Sequence, residues 1–123
     1  MLESKTGKYT SNDDFSDKDF RKHNARFSPE NLNHNIRLLT TIEPIAQKYQ
    51  ATMGQIALAW LLAQYDKLVP IPGTKKLSYL IENAKAADIV LEEDDVKFLN
   101  HLPNEIQVQG NRYSDEGMKG VNA

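Results

Sequence analysis

The sequence has no cysteine, no excess of charge of either sign and no long hydrophobic run. Without cysteine, the chain can have no disulfide framework, thiolate nucleophile or cysteine-based metal site. Its 15 Lys and Arg residues against 17 Asp and Glu residues give a formal net charge of −2, so there is no bulk attraction for nucleic acid or for an anionic membrane. The longest apolar run, 56–63, is far shorter than the roughly 20 residues of a membrane-spanning helix.

Two further features of the sequence indicate where the protein is located and what it does not bind. The N-terminus has no basic segment followed by an apolar run, so we expect no secretory signal and a cytoplasmic protein. The short connection at Gln50-Ala51 between two predicted helices resembles a helix-turn-helix. A recognition helix, however, needs base-reading side chains near its start, and this one offers only Gln55. We therefore expect no nucleic acid and no membrane among the partners.

The most informative segment that is present spans 68–83 and predicts a strand, a tight basic turn and a helix. The apolar run 68–71 is typical of a buried strand, and Pro72-Gly73 ends it. Thr74, Lys75 and Lys76 precede a helix with apolar residues at helical spacing. Because free N–H groups and the positive end of the helix dipole point at the turn, this geometry suits an anion such as a phosphate. Seen alone, the same segment also fits a solvated loop with two surface lysines.

The order of motifs resembles the aldo-keto reductases, NADP-dependent oxidoreductases that are built on a TIM barrel. The resemblance starts from Ile71-Pro-Gly-Thr-Lys-Lys followed by Glu82-Asn83, and it extends over 6–122. The other matching segments are Asp13-Asp14-Phe15, Asp19-Phe20-Arg21, Ala25-Arg26-Phe27, Glu30-Asn31-Leu32, the helix 52–64 and Gly110-Asn-Arg-Tyr113. The resemblance implies an α/β fold, of which this chain would be the C-terminal part of the (β/α)8 barrel, mostly helical with one secure strand.

The resemblance implies a phosphate-binding role for the turn. Gly73 would let the backbone approach the adenosine phosphate closely, and Thr74 would offer its hydroxyl and N–H to the 2′-phosphate. Lys75 would neutralise the phosphate charge, whereas Lys76 either assists or faces solvent. The implied cofactor is NADP(H).

The same resemblance assigns three positions in the following helix to the adenosine. Glu82 and Asn83 stand where the family contacts the adenine amine. Tyr79 stands where other branches hold Arg or Gln, so the resemblance implies stacking rather than phosphate binding at that position.

The catalytic part of the family pattern is missing. A TIM barrel needs about 250 residues and eight strands, whereas this chain has 123 residues. The reductases use an Asp, a Tyr, a Lys and a His from the first half of the barrel, and nothing here aligns with any of them. We therefore expect that the chain contains no catalytic residue. We also expect that it is the C-terminal portion of a reductase, starting at an internal Met or in a truncated reading frame. The chain would support reduction of an aldehyde or ketone by NADPH only when the rest of the barrel is present. The alternative is that it is a non-catalytic helical remnant that self-associates or binds another protein.

The expected organisation is a single partial domain over 1–123. Residues 1–29 would form the loop after barrel strand seven, 68–71 the last barrel strand, and 72–87 the cofactor turn and helix. Further helices are expected at 30–49, 52–64 and 92–102, with Pro103 ending the last one before a tail over 103–123. A lone strand leaves both edges unpaired, so self-association through it is expected. No metal site is expected, because three isolated histidines and the acidic run 92–95 lack ligand spacing.

Overall fold

The computed structural model describes residues 11, 15–111, 113 and 115–121. These residues form helices and connecting turns, and no strand occurs among them. The helices are α1 (Pro29–Lys48), α2 (Met53–Gln64), α3 (Leu77–Lys85), α4 (Glu93–Glu105) and α5 (Asp115–Met118), with 3-10 turns at Phe20–His23, Ala25–Phe27 and Ala86–Asp88. Within this part of the chain, no helix has the length and apolar character needed to span a membrane.

Helix α1 begins with a side-chain cap and a proline. The Ser28 hydroxyl accepts the Asn31 N–H at 3.4 Å, and Pro29 occupies the first turn, where its missing N–H costs nothing. The helix continues through Pro44 and then reverses at Gln50, which has a φ of +50°. The Ala51 N–H donates to the Ala46 carbonyl at 2.9 Å across this reversal, which directs the chain into α2.

The main core lies where α1, α2 and α4 meet. Apolar residues spaced three and four apart on each helix face one another there, so each helix buries one stripe. The buried members are Ile45, Ala46, Ile56, Leu99 and Leu102. Ile56 is only 1% exposed, and its helix α2 contacts α3 and the 3-10 turn Ala86–Asp88 as well as α1 and α4, so α2 is the centre of this unit.

A second, smaller core lies under the N-terminal segment. Phe15, Phe27 and Leu32 are buried together, and the two phenylalanine rings meet edge to face with centroids 5.2 Å apart. Two 3-10 turns, Phe20–His23 and Ala25–Phe27, lie within the loop that was expected over 1–29. Asp19 and Asn24 cap these turns by accepting the N–H of the residue two positions later. Residues 1–10 and 12–14 of the predicted loop lie outside the described residues.

The segment after α4 is attached to α1. Helix α4 continues through Pro103 to Glu105, so the prediction that Pro103 ends it was wrong. Beyond it, the Asn35 amide group both donates to the Gln109 carbonyl at 2.9 Å and accepts the Gln109 N–H at 2.8 Å. The Arg26 Nε donates to the Gly110 carbonyl at 3.2 Å. The tail therefore joins the N-terminal turns and α1 in one unit.

Residues 68–71 do not form the predicted buried strand. A strand is defined by hydrogen bonds to a neighbouring strand, and the described residues provide no neighbour for this one. Val69 and Ile71 of this run are 80% and 92% exposed. The predicted secure strand is therefore absent from this structure, because its partners are not available.

Candidate cofactor-binding site

The basic turn before α3 is organised by Thr74. Its hydroxyl accepts the Lys76 N–H at 3.3 Å, which is the local hydroxyl–backbone pattern that favours the start of a helix. Lys76 is the N-cap residue of α3 but contributes no side-chain cap. The first N–H groups of α3 are consequently left for solvent or for a ligand.

The two lysines of the turn differ in their surroundings. The Lys76 ammonium lies 5.6 Å from the centroid of the Tyr79 ring, a cation–π arrangement that orders both side chains. Lys75 is exposed, and in the described part of the chain its side chain makes no hydrogen bond or ion pair. Lys75 is therefore the freer of the two charges for an anion at this turn.

Gly73 sits at an open position in the turn. A Cβ added to it would meet no atom within 4 Å, and its φ lies outside the left-handed region. The chain itself therefore does not require glycine here. An added side chain would therefore fit here without strain.

Helix α3 buries none of its residues. Leu77 is 71% exposed, Leu80 55% and Ile81 49%, although these are the apolar positions that should face a core. The helix contacts α2 and the 3-10 turn Ala86–Asp88. Exposed apolar side chains are therefore found both at residues 69 and 71 and on α3.

Glu82 is the site residue that the fold holds most firmly. Its Oε1 accepts the Thr52 hydroxyl at 2.9 Å, and its backbone carbonyl accepts the Gln55 Nε2 at 2.9 Å. Thr52 and Gln55 form the capping box of α2, so the start of α2 is joined directly to α3. Asn83 follows on α3, half-buried, and its backbone carbonyl accepts the Ala86 N–H.

The seven predicted positions thus lie in one continuous strip, with Gly73 to Lys76 in the turn and Tyr79, Glu82 and Asn83 on α3. The structure places a hydroxyl and two ammonium groups before a helix N-terminus, and a carboxylate near its far end. Such a strip can bind a phosphate at one end and a hydrogen-bond donor at the other.

Comparison with known proteins decides the family. The model of the aldo/keto reductase family matches residues 4–103. The chain belongs to the aldo/keto reductase family.

Individual aldo-keto reductases are similar over most of this chain. An aldo-keto reductase of Schizosaccharomyces pombe, named yakc [NADP(+)], is 45% identical over 108 residues, which are 88% of this chain and 32% of that protein. Aldo-keto reductase str7 of Strobilurus tenacellus is 41% identical over 112 residues, covering 91% of this chain and 33% of that protein. A probable aldo-keto reductase 1 of Glycine max is 41% identical over 75% of this chain and 27% of its own length. The chain thus spans about a third of the length of the curated relatives it matches.

The reductase family is built on a TIM barrel, and only the helical part of that architecture is seen in the described residues. In a TIM barrel each strand packs between its neighbours and beneath the surrounding helices. The exposed apolar residues at 69, 71 and in α3 are consistent with elements that lack those neighbours.

The capping box of α2 has a sequence signature, whereas its connection to Glu82 has none. The pattern Thr52-x-x-Gln55 is local and can be read directly, whereas its contact with a residue about thirty positions later depends on how α2 and α3 pack. Within the described residues, no group of three or more His, Asp or Glu side chains could hold a metal ion. Asp95 of the acidic run instead accepts from Lys48 and Tyr49.

Proposed function

We propose that this chain supplies the NADP(H)-binding end of an aldo-keto reductase, an oxidoreductase that reduces aldehydes or ketones by hydride transfer from NADPH. The observation that carries the proposal is the turn before α3, where Thr74 organises an uncapped helix N-terminus beside a free Lys75. In this role Gly73, Thr74, Lys75 and Lys76 bind the adenosine 2′-phosphate, while Tyr79, Glu82 and Asn83 contact the adenosine. The name of the Schizosaccharomyces pombe relative, which includes NADP(+), supports this choice of cofactor.

The charges of the turn favour a 2′-phosphate over a ribose hydroxyl. An acidic residue that accepts from the ribose hydroxyls is the usual mark of NAD preference in dinucleotide sites. The span 73–80 contains no acidic residue and two lysines. A 2′-phosphate therefore meets only positive charge and free N–H groups at this turn.

We further propose that residues 68–71 become the last strand of the barrel when the other strands are present. The exposed apolar side chains at 69 and 71 and on α3 are then covered by the neighbouring strand and helices. By itself, the chain is proposed to lack reductase activity, because none of its residues matches the proton donor of the family or its partners. The same uncovered surface is proposed to drive self-association of the isolated chain.

The decisive experiment replaces Lys75 in a completed barrel. The chain is joined to the first two-thirds of the Schizosaccharomyces pombe reductase, and NADPH and NADH are titrated by fluorescence. We expect Lys75→Ala to weaken NADPH binding by roughly ten- to a hundredfold, because a charge-assisted contact contributes about 1.5–3 kcal/mol. NADH, which lacks the 2′-phosphate, should be nearly unaffected.

Lys85→Ala provides the matched control, since this lysine lies at the opposite end of α3. It removes the same charge from the same helix and should leave both affinities unchanged. If Lys75→Ala weakens the two cofactors equally, or weakens neither, Lys75 is only a surface lysine and the proposal is wrong.

A further inference from the structure

Glu82 is held by side chains that lie outside its own helix. An exposed glutamate on a helix surface ordinarily samples several rotamers, and ordering it has an entropic cost. Here the Thr52 hydroxyl contacts Oε1 at 2.9 Å, and the Gln55 Nε2 fixes the backbone carbonyl of the same residue at 2.9 Å. Both the carboxylate and the backbone at position 82 are thus tied to the start of α2.

The donors and acceptors available to Thr52, Gln55 and Glu82 determine the directions of these hydrogen bonds. The Thr52 hydroxyl accepts the Gln55 N–H at 3.2 Å, and the Gln55 Oε1 accepts the Thr52 N–H at 2.9 Å. An ionised carboxylate only accepts, so the Thr52 hydroxyl must donate its proton to Glu82. Gln55 is buried, at 9% exposed, and both the oxygen and the nitrogen of its amide group are hydrogen-bonded in this network.

This network leaves one carboxylate oxygen available. Oε1 of Glu82 is occupied by Thr52, whereas Oε2 makes no hydrogen bond or ion pair to any residue that the structure describes. Oε2 can only accept a hydrogen bond. A ligand group that meets it must therefore donate, and a lone pair placed there would be repelled.

We propose that Thr52 and Gln55 are positioning residues that make this site selective for adenine over a 6-oxo purine. The proposal rests on the proposed function, in which Glu82 meets the base. The amino group at C6 of adenine donates to a carboxylate, whereas the oxygen at C6 of hypoxanthine or guanine can only accept. Thr52 holds the carboxylate in place before the nucleotide arrives, so the selective contact forms without ordering a mobile side chain.

The competing explanation is that the Thr52–Glu82 bond serves only to join α2 to α3. The two explanations differ in what a change at Thr52 does to base preference. A purely structural bond affects all ligands alike, whereas a positioning role changes the ratio between an adenine and a hypoxanthine ligand.

The experiment titrates the 123-residue chain with adenosine 2′,5′-bisphosphate and with inosine 2′,5′-bisphosphate, following backbone amide shifts by NMR. These ligands contain the phosphate and the base that the strip at 73–83 is proposed to bind. For Thr52→Val we expect the ratio of the adenosine affinity to the inosine affinity to fall by roughly three- to tenfold. Without the Thr52 hydroxyl, the Glu82 carboxylate becomes ordered only when adenine binds, and that ordering weakens the contact. Thr52→Ser keeps the hydroxyl and should keep the ratio.

Glu82→Gln provides a second test that does not disturb the cap of α2. The glutamine can still accept from Thr52 through its amide oxygen, but its NH2 group donates where the carboxylate accepted. The preference for adenosine should therefore disappear or reverse in this variant. Lys75→Ala should weaken both bisphosphates together and leave their ratio unchanged, because it acts on the phosphate and not on the base.

The outcomes separate this inference from the proposed function. If both bisphosphates bind but the ratio is the same in the original chain, Thr52→Val and Glu82→Gln, the positioning role is wrong and the cofactor role stands. If neither bisphosphate shifts the amides at 73–76 of the original chain, this inference is wrong, and the cofactor role of the turn is decided separately by the Lys75→Ala titration in the completed barrel.

Discussion

The unit formed by α1, α2 and α4 differs sharply from the unit formed by 68–71 and α3. The first buries large apolar side chains, with Ile56 1% and Leu102 3% exposed. The second has comparable apolar residues, yet Leu77 is 71% and Ile71 92% exposed. Both units have the spacing that predicts a buried face, so the pattern alone does not distinguish them. The difference is whether the partner surface lies within the chain.

Polar contacts divide the two units only in part, because Glu82 on α3 is hydrogen-bonded to Thr52 and Gln55 of the first unit. In the first unit, the Lys48 ammonium contacts Glu92 and Asp95, both at 2.8 Å, and the Tyr49 hydroxyl donates to Asp95 at 2.6 Å. These contacts join α1 to the start of α4. In the second unit, the charged side chain of Lys75 faces solvent. The first unit buries its apolar stripe within the chain, whereas the second leaves exposed the apolar side chains at 69 and 71 and on α3.

Truncating Ile56 should have the largest effect on the free energy of unfolding. Ile56→Ala leaves a cavity at the centre of the main core, and such changes cost about 2–5 kcal/mol. The matched change Leu77→Ala removes an exposed side chain and should alter stability by less than about 0.5 kcal/mol. Urea unfolding followed by circular dichroism measures both. Equal losses of unfolding free energy in the two variants would show that the two units do not differ in packing.

Replacing Gly110 should produce the next largest effect, because its φ is +86° and its Cα lies against backbone. A Cβ there would be 2.8 Å from the Ala25 carbonyl carbon and oxygen and from the Arg26 nitrogen, none of which can move aside easily. We expect Gly110→Ala to cost about 1–3 kcal/mol. Hydrogen exchange of the Gln109 amide, which donates to Asn35, should accelerate.

The control for this prediction is Gly73→Ala. An added methyl group at position 73 meets no atom of the chain within 4 Å, so stability should be unchanged. Unaltered Gln109 exchange in Gly110→Ala would mean that the tail is not held against the N-terminal turns as the structure shows.

The contact between α1 and α4 should give a smaller, pH-dependent effect. Hydrogen bonds from Lys48 and then Tyr49 lower the pKa of Asp95 below its usual value of 3.8. A carboxyl whose pKa is lower in the folded state contributes stability above its unfolded pKa and loses that contribution as the pH falls. Asp95→Asn should therefore cost about 1 kcal/mol at neutral pH and progressively less below pH 4. Unfolding curves that stay equally separated from pH 7 to pH 3 would contradict this assignment.

The sequence predicted the helices better than the tertiary contacts. Local signals determine where helices begin, such as Ser28-Pro29 for α1 and the Thr52-x-x-Gln55 box for α2, and observed bounds lie within three residues of the predicted ones. The run 68–71 also has local strand character, but a strand needs a neighbour, and local sequence cannot supply one. Pro103 was predicted to end α4, yet the helix extends two residues further.

The candidate site shows the same limit. The turn from Gly73 to Lys76 could be predicted because its residues are adjacent in sequence. The hydrogen bond from Thr52 to Glu82 could not be predicted, because it depends on the packing of α2 against α3. A residue that positions a site side chain on a different helix has no local sequence pattern, so only the three-dimensional structure reveals it.

Replacing Ile71 should have the smallest effect on the isolated chain and is the sharpest test of why the second unit is exposed. Ile71 is 92% exposed, so Ile71→Ser should change the free energy of unfolding by less than about 0.5 kcal/mol. If residues 68–71 become the last barrel strand, the same change removes an apolar side chain from the barrel. It should then lower the affinity of the chain for the separately produced first two-thirds of the Schizosaccharomyces pombe reductase by about tenfold or more, because burial of such a side chain contributes about 1.5–3 kcal/mol. Isothermal titration calorimetry measures this binding, with Lys85→Ala as a surface control of unchanged affinity. A loss of affinity without a loss of stability would show that the uncovered face is an interface, whereas unchanged affinity would contradict its assignment to a barrel strand.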